Sequence, residues 1–144
     1  MAMLRDWRER RFLVRQERSW RRTIVAMAAR LGEGDPAVLL GRANQVVDRL
    51  AVLITSASDR FPSLDQEQKA QAISVARLDE VIDGGADPPD WLDDRVEIRR
   101  IGHSLHAEGG VEWMVAVAER VHTIRGVSLR QVEMYWHNIG DWRY

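Results

Sequence analysis

Apolar residues in this chain recur at the three-and-four spacing of helices, and the clearest case lies between residues 36 and 57. Leu39, Leu40, Ala43, Val46, Val47, Leu50, Leu53, Ile54 and Ala57 form one stripe, opposed by Arg42, Gln45, Asp48 and Arg49. Asp35-Pro36 supplies a cap and a proline at the first helical position. The spacing therefore predicts a helix over 36–57 that packs along its length.

A second dense face runs through Val111, Met114, Ala118 and Val121, thickened by Trp113, Val117 and Ile124. Gly109-Gly110 opens this helix and Gly126 closes it, which predicts 111–125. Ser128-Leu129-Arg130-Gln131 reads as a capping box that restarts the chain as a helix over 129–138, carrying Leu129, Val132 and Trp136. The segment from Gly109 to Trp142 is expected to be a core hairpin covered by the other helices.

The same patterning predicts a helix over 4–31 with a stripe of Leu13, Trp20, Ile24, Met27 and Leu31, stopped by Gly32 and Gly34. Leu4, Trp7 and Phe12 do not continue that stripe, so residues 1–20 are expected to form an arginine-rich arm or an interface helix. A further capping box, Ser63-Leu64-Asp65-Gln66, predicts a helix over 64–83, with Ala72, Val75, Ala76, Leu78 and Ile82 inward. Ala86 to Asp90, with Pro88-Pro89, reads as a loop or hinge before a helix over 91–107, in which Ile98, Ile101 and Leu105 share a face. There Gly102 leaves room for a neighbouring helix to come close. No strand-length alternation and no internal repeat occur. The fold class is all-α, a compact bundle of about six helices in a single domain spanning residues 1–144.

Composition narrows the functional classes. A length of 144 residues, 45% of them hydrophobic, suits one domain with a real core. The absence of cysteine excludes disulfides, thiol nucleophiles and cysteine-bound zinc. Arg42, Asp48 and Arg49 interrupt the best apolar run, so no membrane span is predicted, and the start of the chain lacks the apolar block of a secretory signal. A cytoplasmic location is the simplest expectation.

Charge is near balance in total but segregated along the chain. Residues 1–30 hold nine arginines against three acids, whereas residues 79–97 hold eight acids against Arg95 alone. The expected function is therefore non-catalytic interaction, with the protein binding itself or a protein partner. Arg5, Trp7, Arg8, Arg11, Arg15 and Arg18 would form the basic side, and Asp87, Asp90, Asp93 and Asp94 the acidic one.

Two other classes remain open from the residues alone. Gly126-Val127-Ser128 followed by Val132 resembles the turn and second-helix start of helix-turn-helix repressors over about ten residues. The resemblance implies nucleic-acid binding through the helix after Ser128. The chain departs from it at His122, where that motif needs a small residue, and Arg130 is balanced by Glu133. The arginine arm is a second route to nucleic acid. Separately, His103 with His106, and Glu119 with His122, stand three apart on helix surfaces, a spacing that would hold a transition metal if the two pairs faced each other. No other cofactor is expected. No nucleophile stands beside a base and no glycine loop cradles a phosphate, so the sequence leans away from an enzyme.

Overall fold

Local signals at the chain's punctuation marks set the frame. The structure, a computed structural model, describes residues 2–85 and 87–142, and among them it is all-α, with no strand. The chain divides into two units, Met1–Arg42 and Ala43–Tyr144.

In the first unit, α1 (Ala2–Leu31) is built from strong helix formers, and its buried side chains are Trp20, Ile24, Met27 and Ala28. It ends where Gly32 takes a left-handed φ of 72° and the Glu33 amide donates to the Ala28 carbonyl at 2.9 Å. That six-to-one bond is the mark of a Schellman stop. Asp35 then caps the next helix, its Oδ1 accepting from the Ala37 amide at 2.9 Å, with Pro36 in the first helical position. This helix, α2 (Pro36–Arg60), crosses from the first unit into the second.

In the second unit α2 buries Ala43, Val47, Leu50, Leu53, Ile54 and Ala57, as its stripe predicts. It runs three residues past the expected end, and Phe61–Ser63 forms a single 3-10 turn. The next cap is not the expected one. Asp65, not Ser63, accepts from the Gln68 amide at 2.7 Å, and the Gln68 side chain returns to the Asp65 amide at 3.1 Å. A carboxylate outcompetes the hydroxyl two residues earlier, which turns back to the Arg60 carbonyl at 2.9 Å.

The single helix expected over 64–83 is two. α3 (Gln66–Ile73) and α4 (Val75–Ile82) meet at Ser74, whose backbone is extended (φ −79°, ψ 106°) and whose hydroxyl accepts from the Arg77 amide at 3.3 Å. The break rotates α4 so that Leu78 and Val81 are buried, while Ala76 is exposed and Ile82 only half-buried. Gly84, at φ 85°, closes α4 with a second Schellman stop. Of the loop read as a hinge, Ala86 lies outside the described residues, and Asp90–Leu92 forms a 3-10 turn.

α5 (Asp93–Arg125) carries the unit's centre and is interrupted at Gly110 (φ 71°, ψ −168°), a conformation open essentially to glycine alone. The consequence can be read from its ion pairs. A straight helix would separate residues 97 and 125 by roughly 42 Å. Yet Glu97 binds Arg49 and Arg125 binds Asp48, neighbours on α2. The chain therefore bends sharply at Gly110, and the two arms, 93–109 and 111–125, correspond to the two helices expected there.

The second arm buries Trp113, Met114, Val117, Ala118 and Val121. Gly126, left-handed at φ 66°, ends it. α6 (Leu129–Tyr135) buries Val132 and Tyr135 and is shorter than expected, because Asn138 (φ 67°) and Gly140 (φ 54°) turn the chain. The capping box expected at Ser128 is absent. Gln131 instead donates across to the Ser58 hydroxyl at 2.7 Å.

Trp136 and Trp142 meet edge to face, with ring centroids 5.3 Å apart. The indole donors of Trp113, Trp136 and Trp142 reach Glu108, the Ile98 carbonyl and the Glu133 carbonyl respectively. All three rings are buried with their polar handles satisfied, which makes them core pieces.

Candidate functional site

The basic and acidic segments, the histidines and one cleft are the places where chemistry could reside. In α1, none of residues 2–19 is buried, although the helix is continuous through them. Trp7 is 53% exposed and Phe12 54%, with Leu4, Leu13 and Val14 similarly open. The six residues expected to form the basic side, Arg5, Trp7, Arg8, Arg11, Arg15 and Arg18, all lie in this exposed stretch. Arg11 stacks over the Trp7 ring at 4.8 Å, and Arg5 stands 4.0 Å from Glu9. The space of about 650 Å³ bounded by Trp7, Arg8, Phe12 and Arg15 is walled by this one helix alone, so it is a surface and encloses nothing.

Apart from Glu80, which is exposed and stands 3.7 Å from Arg77, the acidic stretch divides into two sets. Asp79, Asp94 and Glu97 are engaged within their own unit. Glu97 accepts two bonds from Arg49 at 3.1 Å, and Asp94 accepts from Ser56 at 2.7 Å with Arg60 at 3.8 Å. Asp83, Asp87, Asp90 and Asp93 are exposed, and Asp90 contributes only its carbonyl, to Arg60 at 2.7 Å. Of the four acids expected at an interface, Asp87, Asp90 and Asp93 thus remain open to a partner, and Asp94 is a structural residue.

Asp79, itself half-buried, is the centre of a cluster anchored by one buried residue. Arg99, 1% exposed, grips it with two bonds of 2.6 and 2.8 Å and sends Nη1 to the carbonyls of Tyr135 and His137 at 2.9 and 2.8 Å. His103 Nε2 lies 3.0 Å from the same carboxylate. Burial works to raise the Asp79 pKa, but the bonds and charges of Arg99 and His103 outweigh it and hold the carboxylate below its ordinary range.

The metal expectation is not supported by this geometry. His103 faces Asp79, where the Arg99 guanidinium already occupies the place a cation would take. The His106 ring lies against Gly140, so closely that a Cβ there would collide with it. His122 Nδ1 meets the Val127 carbonyl at 2.8 Å, and Glu119 is exposed. Among the described residues no group of three or more potential ligands is placed to hold a metal ion. The helix-turn-helix segment fares similarly. α6 has seven residues, with Gln131 bound to Ser58 and Val132 and Tyr135 in the core.

Sequence reasoning missed the buried arginines, Arg95, Arg99 and, less completely enclosed, Arg120. Arg95 is fully buried and Arg99 nearly so, on the face of α5 shared by Ile98, Gly102 and Leu105. Their signal was spacing: residues 95, 98, 99, 102 and 105 recur at three and four, with arginines standing where apolar residues would be expected.

Arg95 has no carboxylate within ion-pair distance among the described residues. Its Nε donates to the Tyr135 hydroxyl at 3.1 Å, Nη1 to the Trp91 carbonyl at 2.9 Å and Nη2 to the Ala57 carbonyl at 2.7 Å. The Phe61 ring covers its face at 5.3 Å. These groups border a cleft of about 190 Å³, whose apolar wall includes Ile54, Phe61 and Met134. Burial pushes the Tyr135 pKa up, against the opposing charge and bond of Arg95, so the phenol keeps its proton at neutral pH.

No helix among the described residues is long and apolar enough to cross a membrane. Comparison with protein-family models, with curated proteins and with solved structures finds no match to this chain.

Proposed function

We propose that this protein is a non-catalytic self-association module, in which the first half of α1 from one copy engages the exposed acids of a second copy. The observation that carries the proposal is the exposure of α1: an unbroken helix buries nothing over residues 2–19 while displaying Trp7, Phe12, Leu13 and Val14. Most of a helix's stability in proteins comes from tertiary packing of its apolar face, and a covering partner would supply it here. The partner's chemistry follows from charge. Arg8, Arg11, Arg15 and Arg18 call for carboxylates, and Asp83, Asp87, Asp90 and Asp93 stand exposed on this chain.

Magnitudes are compatible with a reversible contact. Covering an apolar side chain contributes about 1.5–3 kcal/mol, and association costs roughly 4–15 kcal/mol in lost freedom. Four anchors therefore come close to balance, and the charges would set partner choice and association rate. Size-exclusion chromatography with light scattering tests the idea. A dimer or larger species that weakens as salt rises supports it, because screening at about 0.1 M already shortens the reach of exposed charges to about 10 Å. A monomer whose mass is indifferent to salt contradicts it.

A further inference from the structure

A cation placed fully out of water normally has a carboxylate beside it, because an isolated buried charge is expensive. Arg95 has instead two carbonyls, a phenol oxygen and an aromatic face. Three of its N–H groups are engaged, of the roughly five a guanidinium carries. Beside it, the Tyr135 hydroxyl accepts from Arg95 Nε, and the Ser58 hydroxyl accepts from Gln131 Nε2. An oxygen used as acceptor leaves its own hydrogen to donate, and neither hydroxyl has an acceptor among the described residues. Tyr135 is only 4% exposed, so what small access its hydroxyl has is by way of the cleft it borders. All three groups border the same cleft, whose remaining wall is apolar apart from Gln131 and which no carboxylate lines.

We infer that this cleft is a binding site for a small organic carboxylate, with the anionic end at the Tyr135 and Ser58 hydroxyls, in the field of the enclosed Arg95, and an apolar body against Ile54, Phe61 and Met134. The cation supplies the charge complement, and the two hydroxyl hydrogens supply directed donors. Such charge-assisted bonds are shorter and about twice as strong as neutral ones. Size limits the ligand: a cavity of about 150 Å³ holds benzene, so the 190 Å³ here suits a single ring or short chain bearing one carboxylate. The cleft's lining shares no residue with the surfaces proposed for self-association, so its occupation is tested independently of them.

Calorimetric titration of the full chain with benzoate and hexanoate, and with the neutral isostere benzamide, tests the site. At least one carboxylate binds, and benzoate or hexanoate outcompetes benzamide by about tenfold or more, the scale of one hydrogen bond to a charged group. Tyr135→Phe removes a single oxygen and weakens carboxylate binding by about tenfold while leaving benzamide nearly unchanged. Ser58→Ala, a smaller change at the cleft's edge, gives a several-fold loss and covers the case in which Tyr135→Phe fails to fold. No binding by either carboxylate at about 10 mM, which corresponds to an affinity too weak for a formed site, overturns the inference. So does equal affinity for acid and amide, or binding unaffected by the variants.

Discussion

Gly102 lies directly beneath the indole of Trp136: a Cβ added to the glycine would stand 2.5 Å from Trp136 Cδ1 and 2.6 Å from Nε1. The missing side chain lets the ring reach into α5 and donate to the Ile98 carbonyl at 2.9 Å, one turn before the glycine. Trp136 is wholly buried and wedged against Trp142, so it has nowhere to retreat. Close approach at this position joins the chain's closing segment to the first arm of α5.

Gly102→Ala decides between two effects of opposite sign. Replacing glycine by alanine inside a helix ordinarily gains up to about 1 kcal/mol, whereas forcing a methyl into a filled core costs about 1–3 kcal/mol. With Ile139 Cδ1 also only 2.8 Å from the added atom, the clash wins. Urea unfolding should show a net loss of about 1–2 kcal/mol; a gain would mean that the indole does not sit on the glycine.

Arg99 is the second joint. It pairs with Asp79 on α4 and donates to the carbonyls of Tyr135 and His137 after α6. Arg99→Met keeps most of the volume and strands those acceptors, a cost of about 2–4 kcal/mol. Arg99→Lys retains the charge but lacks the forked geometry and should recover only part of the loss. Equal stability of the methionine variant and the wild type would show that the guanidinium bonds contribute nothing net.

Much of this frame was legible from the residues, and the reasons differ by element. Asp35-Pro36, Gly32, Gly84 and Gly126 act within a few residues of themselves, so their caps and stops follow from local chemistry. The stripes of α2 and of 111–125 were equally plain, because burial there is apolar throughout. The break at Ser74 was hidden by Ile73 and Val75 on either side, which continue a helical pattern without a glycine or proline. Arg95 and Arg99 were invisible for a different reason. Charge is read as surface unless its partners are known, and all of those partners but the Trp91 carbonyl lie 20 to 40 residues away. The histidines at three-residue spacing were misleading because spacing fixes a shared face and leaves open what covers it.

Asp79 gives the fold a defined acid sensitivity. Its folded pKa lies below the unfolded value of about 4. The stabilisation is therefore fully present above that unfolded value, and it is lost as pH falls through the folded one. Urea midpoints of the wild type and Asp79→Asn should differ at neutral pH and converge below about pH 4. The side chain is 37% exposed, so solvent screening keeps the difference modest. A gap that persists unchanged into acid would show that the carboxylate's charge is not what Arg99 and His103 respond to.

Complementary charge between copies is the central claim, and a charge exchange tests it most directly. One variant carries Arg8→Glu, Arg11→Glu and Arg15→Glu; the other carries Asp87→Arg, Asp90→Arg and Asp93→Arg. Sedimentation equilibrium at low salt should find each variant alone less associated than the wild type, since like charges then face each other. An equimolar mixture should recover association, because the reversed α1 of one meets the reversed acidic face of the other. Undiminished association of either variant alone, or a mixture no more associated than its components, would contradict the account.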